Sequence, residues 1–260
     1  MTNLLIIKVA ITMGAVIGLS LLAERVSARL AGLLAGYPLG IAIVLGFIGL
    51  EQGVVFASEA AVYAIVGLSA NVLLALVYWR LAGPAKRLVN VLWAGVVAIV
   101  AFLSLAALLQ PLAGHIGLAI PITLLSIGLA IHKVKTLPIT SVRGRSKIGF
   151  ADMLVRAAIA TVTVLLITGL AALIGPAWAG LLAGFPVVAF PLFLILHYHY
   201  GPELLTLSIK AYPMGLLSLL IYTTSVALSY PLWGLLWGTL LGFVCATLYL
   251  LLLQVVKYKR

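Results

Sequence analysis

Apolar residues fill this chain in long stretches, broken by short polar interruptions that carry most of its charge. The pattern predicts apolar helices over about 4–23, 31–50, 60–79, 90–110, 117–132, 153–174, 179–199, 204–228 and 232–254. Crossing the hydrocarbon core of a bilayer takes roughly 20 apolar residues per helix, and most of these runs have that length. No stretch is long or polar enough for a soluble domain. The most polar, Lys133 to Asp152, amounts to a single loop. The expectation is an all-α, polytopic membrane protein of about nine transmembrane helices.

Two of the runs carry nearly the same block. Ala31-Gly32-Leu33-Leu34-Ala35-Gly36-Tyr37-Pro38 returns as Ala179-Gly180-Leu181-Leu182-Ala183-Gly184-Phe185-Pro186, an offset of 148 residues, with Tyr to Phe the one change. The same ungapped offset pairs Lys8 with Arg156, Gly53 with Gly201 and Gly67 with Gly215. The chain is therefore read as a duplication. Spans one to four form the first copy (1–110) and spans six to nine the second (151–260). Residues 111–150 supply a linking helix and a basic loop.

Composition supports lipid as the solvent. Hydrophobic residues make up 65% of the chain and charged ones 8%, against about 25% charged in soluble domains. The net charge of +11 does not point to nucleic acid, because the basic residues sit at the ends of apolar runs, as the positive-inside rule describes. With the N-terminus outside, thirteen Lys and Arg fall in the inside loops and tail: Arg25, Arg29, Arg80, Lys86, Arg87, Lys133, Lys135, Arg143, Arg145, Lys147, Lys257, Lys259 and Arg260. The outside loops near 51–59, 111–116, 175–178 and 229–231 hold none.

That count places the C-terminus in the cytoplasm and makes the fifth span a crossing that reverses the second copy. The result is an inverted repeat of four plus one plus four. A parallel repeat would require the fifth run, about 16 residues with Pro121 near its start, to lie on the surface. The N-terminal run lacks the basic n-region of a signal peptide and aligns with internal residues, so cleavage near Val26-Ser27-Ala28 is not expected. The lone Cys245 precludes an intrachain disulfide.

In each copy the block opens the second helix with glycines four apart, Gly32 with Gly36 and Gly180 with Gly184. Such spacing lets membrane helices approach closely. Pro38 and Pro186 follow, and Pro191 stands in the second copy alone. Proline removes a backbone hydrogen bond, leaving carbonyls for neighbours, water or a solute to satisfy. Corresponding Gly/Pro-interrupted helices point to a transporter's binding site, which makes Gly36, Tyr37, Pro38, Gly184, Phe185 and Pro186 candidates to line a central cavity. The bland alternative is a pair of kinked packing helices.

Lys8, Arg156 and Lys210 lie inside apolar spans, where charge is expensive and usually paired or functional. Lys8 and Arg156 are candidates to attract an anionic solute from opposite faces. Against this, each stands near a helix end and can snorkel, and Asp152 precedes Arg156 by four residues, the spacing of a helix ion pair. Coupling candidates are Glu59, Glu203, His197 and His199. A carboxyl in such a setting can carry a proton if burial raises its pKa, whereas capping at the membrane surface explains Glu51 and Glu203 more simply. Glu203, Thr206, Lys210 and Pro213 share a helix face by spacing. Two histidines two apart, without a third ligand nearby, do not make a metal site. Nothing resembles a nucleophile–base pair or a nucleotide-binding loop, so neither an enzyme nor a bound cofactor is expected.

The second copy resembles the GlpM-like small bacterial membrane proteins. The resemblance lies in Ala179 to Pro186, the proline-containing run to His197-Tyr198, and Gly201-Pro202-Glu203 opening the next helix. It covers 152–254 better than 4–109, where Glu51-Gln52-Gly53 replaces His199-Tyr200-Gly201. It implies a four-helix unit, here fused in tandem, and carries little about activity. The resulting expectation is a secondary transporter in the inner membrane, moving a small anionic solute among membrane lipids, possible as a homo-oligomer. The alternatives are a protein that handles lipid or polyprenyl phosphate, and a non-transporting subunit that docks a partner through loop 133–147.

Overall fold

The structure, a computed structural model, describes residues 2–25, 34–83, 87–137 and 149–258, with the backbone alone at 2, 23–25 and 256–258. Gly32, Arg29, Lys86, Val26-Ser27-Ala28, the tail residues Lys259 and Arg260, and most of the basic loop 133–147 lie outside the described residues.

Those residues are helical with no strand among them. The helices are α1 (Thr2–Arg25), α2 (Leu39–Gln52), α3 (Val54–Leu81), α4 (Leu88–Leu109), α5 (Ile116–Lys135), α6 (Phe150–Ala183), α7 (Ala189–Ile195) and α8 (Pro202–Tyr258). A π-helical turn, Leu196–Tyr200, extends α7. Six helices among the described residues are long and apolar enough to cross a membrane.

The distribution of polarity matches that reading. Leu108, Leu173, Val89, Trp93, Leu232 and Leu252 are exposed, while Lys8, Thr12, Ser20, Asn71, Arg156, Thr168 and His197 are buried. Water would oppose such an exterior, and lipid accepts it. Of the six long helices α3 is the most enclosed, and its buried Ala57, Ala60, Ala61, Ala64 and Ala70 admit close neighbours.

Four reversals use one device. Gly53, Gly175, Gly201 and Gly234 have φ of +93°, +73°, +87° and +74°, a region that side chains disfavour. Pro176 and Pro202 follow two of them, at the helix start where a missing N–H is harmless. Thus α6 and α8 are bent rods whose limbs meet at Gly175 and Gly234. The limbs of α8 fold back on each other: Tyr230 OH lies 2.9 Å from Thr239 Oγ1, and Tyr249 OH donates to Met214 O at 3.1 Å.

Several sequence-based boundaries move. The loop expected at 51–59 shrinks to Gly53, because Glu51 closes α2 and Glu59 lies within α3. The turn expected at 229–231 falls at Gly234, since Pro231 is accommodated within helix. The fifth apolar run extends to 20 residues, with Pro121 in its second turn.

Candidate functional site

On α1, Lys8, Thr12, Val16 and Ser20 recur every four residues and so share one helix face. On α6, Arg156, Ala160, Val164 and Thr168 occupy the positions 148 later. All eight are buried, and the two stripes form an antiparallel seam. Lys8 Nζ donates to Thr168 Oγ1 at 2.7 Å, and Arg156 Nη1 donates to Ser20 Oγ at 2.9 Å. Each cation is therefore held by the hydroxyl that corresponds to the other's partner. Lys8 is 5% exposed and Arg156 1%, so neither reaches an interface by snorkelling. They are not brought together: the twelve residues from Lys8 to Ser20 span about 18 Å at 1.5 Å per residue.

The two cations differ in their remaining partners. Lys8 Nζ lies 2.7 Å from Glu51 Oε1 and 5.7 Å from the Phe47 ring centroid. Arg156 Nε donates to Val188 O at 3.3 Å, and among the described residues no carboxylate is within ion-pair distance of it. The anticipated pairing of Asp152 with Arg156 does not form. Asp152 instead meets His199 Nε2 at 3.0 Å.

The repeated block makes the same break twice. Tyr37 N donates to Leu34 O and Leu39 N to Tyr37 O, at 2.9 and 2.8 Å. Their equivalents, Phe185 N to Leu182 O and Val187 N to Phe185 O, have the same lengths. The proline at each break thus produces a tight turn whose carbonyls the protein itself satisfies. Ser218 Oγ donates to Gly36 O at 2.8 Å, while Asn71 Nδ2 donates to Gly184 O at 2.9 Å and Asn71 Oδ1 accepts from Tyr212 OH at 2.9 Å.

The glycines seat the breaks. A Cβ on Gly36 would lie 2.5 Å from the backbone of Gly215, and one on Gly184 would lie 2.6 Å from that of Gly67. Gly36 and Gly184 are equivalent positions, as are Gly67 and Gly215, so each break docks onto the third helix of the other copy. The third helices, α3 and the first limb of α8, run antiparallel through Ser58 Oγ to Ala227 O, the Asn71–Tyr212 contact and Trp79 Nε1 to Thr206 Oγ1.

Tyr37 and Phe185 do not line one cavity. Tyr37 hydrogen-bonds Thr247 at 3.1 Å and stacks on Phe243, whereas Phe185 packs edge-on against Phe102 and Phe190. Pro38 and Pro186 stay within their breaks.

The coupling candidates are dispersed. Glu59 and Glu203 are exposed. His197 is buried, its ring nitrogens 3.1 Å from Tyr78 OH and 3.2 Å from Gly83 O. His199 faces outward beside Asp152. Of the face predicted on α8, Thr206 bonds Pro202 O and Trp79, and Lys210 Nζ donates to Leu137 O at 2.7 Å.

Two shallow grooves open on the outer surface. One is lined by Trp233, Trp237, Leu240, Leu241 and Val244, the other by α5 and α8, and neither involves the block. Sequence reasoning passed over Ser20, Thr168, Ser218 and Tyr212. The signal for the first two was available, since they are hydroxyls at the 148 offset on the faces of Lys8 and Arg156.

No protein-family model matches this chain, and no curated protein and no solved structure matches it.

Proposed function

We propose that this protein is a secondary transporter, built as a nine-span inverted repeat, that moves a small anionic solute by alternating access across the inner membrane. The observation that carries the reading is the antiparallel seam in which Lys8 meets Thr168 and Arg156 meets Ser20. The reading of nine crossings is supported by counting the limbs of α6 and α8 separately and joining the second limb of α6 through its break to α7. Equivalent helices that run oppositely favour inversion over a parallel repeat. In such folds one repeat rocks against the other about a site near the bilayer midplane. The resemblance to GlpM-like proteins fits the same plan, with two four-helix units joined by α5.

The solute is an anion because the interior holds a buried guanidinium with neutral oxygens as its partners. Intramembrane charge of this kind marks ligand or ion pathways. The test is uptake and counterflow of labelled anions in proteoliposomes, with wild type beside Arg156→Gln. Saturable flux that the variant loses supports the reading. Absence of flux for every anion, with phospholipid or polyprenyl phosphate retained through purification, moves the assignment to lipid handling.

A further inference from the structure

We propose that Arg156 recognises the carboxylate of a small monocarboxylate, bound in the place that Glu51 occupies at the equivalent Lys8 site. This rests on the transporter reading and names its substrate class.

The two half-sites share a common frame and differ in the partners beyond it, the Phe47 ring and Glu51 at Lys8 and the Val188 carbonyl at Arg156. Each has a buried cation and a hydroxyl from the opposite copy, with Thr12, Val16, Ala160 and Val164 buried between them. At Lys8 a third component completes the site, the Glu51 carboxylate at 2.7 Å. Position 199 is the equivalent of Glu51, and it holds a histidine that is turned towards Asp152. The second copy therefore lacks its own carboxylate where the first has one. Glu51 is the internal counterpart of the missing ligand, and it shows which chemistry this scaffold accepts beside such a cation.

The properties of Arg156 narrow the class further. At 1% exposure, its charge is stripped of water, and a hydroxyl and a carbonyl offset only part of that loss. A carboxylate matches the planar fork of a guanidinium and forms charge-assisted hydrogen bonds to it. One cation balances one negative charge. A doubly charged phosphate or dicarboxylate would leave a charge buried without a partner, which this apolar surrounding opposes. The selectivity expected is for monocarboxylates over phosphate, sulfate and dicarboxylates.

The test uses the full-length protein purified in detergent at constant ionic strength. Thermal unfolding and equilibrium binding are followed with acetate, butyrate, lactate and benzoate, and with chloride, phosphate, sulfate and succinate. At least one monocarboxylate is expected to raise the melting temperature of wild type, binding one per chain. Arg156→Gln should weaken that binding at least tenfold, and Ser20→Ala, which keeps the charge, by a few-fold. Glu51→Ala, which empties that place, should free Lys8 and raise the stoichiometry towards two. Glu24→Gln, altered one turn beyond Ser20 on α1, should bind as wild type does.

Equal binding to wild type and Arg156→Gln overturns the site. Gain of binding only in Glu24→Gln overturns it also, because Arg156 would then be neutralised within the chain. Binding of chloride, phosphate or sulfate in preference to every carboxylate rejects the class while leaving anion transport standing. Carboxylate binding without flux in proteoliposomes supports the site and rejects the transport reading instead. If Arg156→Gln fails to fold, the wild-type selectivity and the Ser20→Ala shift decide.

Discussion

Gly40 and Val188 stand 148 residues apart and touch: a Cβ on Gly40 would lie 3.2 Å from Val188 Cγ2. They are related by the 148-residue offset, two residues past the repeated block, so the two broken helices meet at matching points along themselves. The glycine admits the valine, and the backbone of Val188 in turn accepts the Arg156 guanidinium. The contact of the two breaks and the buried Arg156 are thus one local arrangement.

The close approaches of the block predict a sharp asymmetry among alanine substitutions. Gly184→Ala places a methyl group 2.6 Å from Gly67 backbone, where neither helix can yield without moving the break. A loss of about 1–3 kcal/mol is expected from such overpacking. Gly46→Ala, in α2 with nothing within 4 Å of its Cβ, should be neutral or stabilising, since alanine favours helix by about 1 kcal/mol. Thermal denaturation in detergent compares the two. Equal tolerance of both would mean that the Gly67–Gly184 crossing is not tight.

Asn71 joins three elements through two bonds, one to Gly184 O and one from Tyr212 OH. Asn71→Leu leaves both partners buried without a bond, each costing about 1–3 kcal/mol. Tyr212→Phe removes the hydroxyl alone and should cost less. In the double variant the losses should fall short of additive by at least about 0.5 kcal/mol, because they share one interaction. Additivity in a double-mutant cycle would show that the Tyr212 bond contributes nothing.

The all-helical, apolar class of the fold was written openly in the chain. The Gly/Pro breaks follow from residue identity at a constant offset, because backbone geometry constrains glycine and proline directly. Partners of side chains were less legible. Asp152 and Arg156 have the spacing of a helix pair, yet His199 takes Asp152, a choice fixed by where the turn at Gly201 sets the π-helical segment. Glu51 reads as a helix cap until α2 is seen to deliver it to Lys8, 43 residues earlier. Tyr37 and Phe185 look like two walls of one cavity. The crossing of the copies sends them apart, each onto the fourth helix of the other half.

The Lys8–Glu51 pair should behave as a coupled unit. Lys8→Gln leaves Glu51 beside an apolar seam without its cation. Glu51→Gln leaves Lys8, the more buried partner, with a hydroxyl alone. Breaking a fully buried pair costs about 3–5 kcal/mol. Glu51 keeps 22% of its side chain exposed, so a loss nearer 1–3 kcal/mol is expected for Lys8→Gln. Combining both substitutions should recover most of the loss, as a neutral amide pair replaces the ions. If the double variant is as unstable as the sum of the singles, the ion pair is not what holds α1 to the end of α2.

The Gly40–Val188 contact also allows the proposed motion to be stopped. In a Cys245→Ser background, which removes the one native thiol, Gly40→Cys and Val187→Cys place two thiols across the meeting of the breaks. A Cβ at Gly40 lies 3.2 Å from Val187 Cβ, so a small adjustment reaches the 3.5–4.5 Å that a disulfide requires. Rocking of one repeat against the other has to pass through this contact, since both breaks sit on the third helix of the opposite copy. Oxidation should therefore form the bridge in high yield and lower anion flux in proteoliposomes at least tenfold, with recovery on reduction. Efficient bridging with undiminished flux would show that the breaks move as one body, and the moving boundary would then have to lie along the seam of α1 and α6.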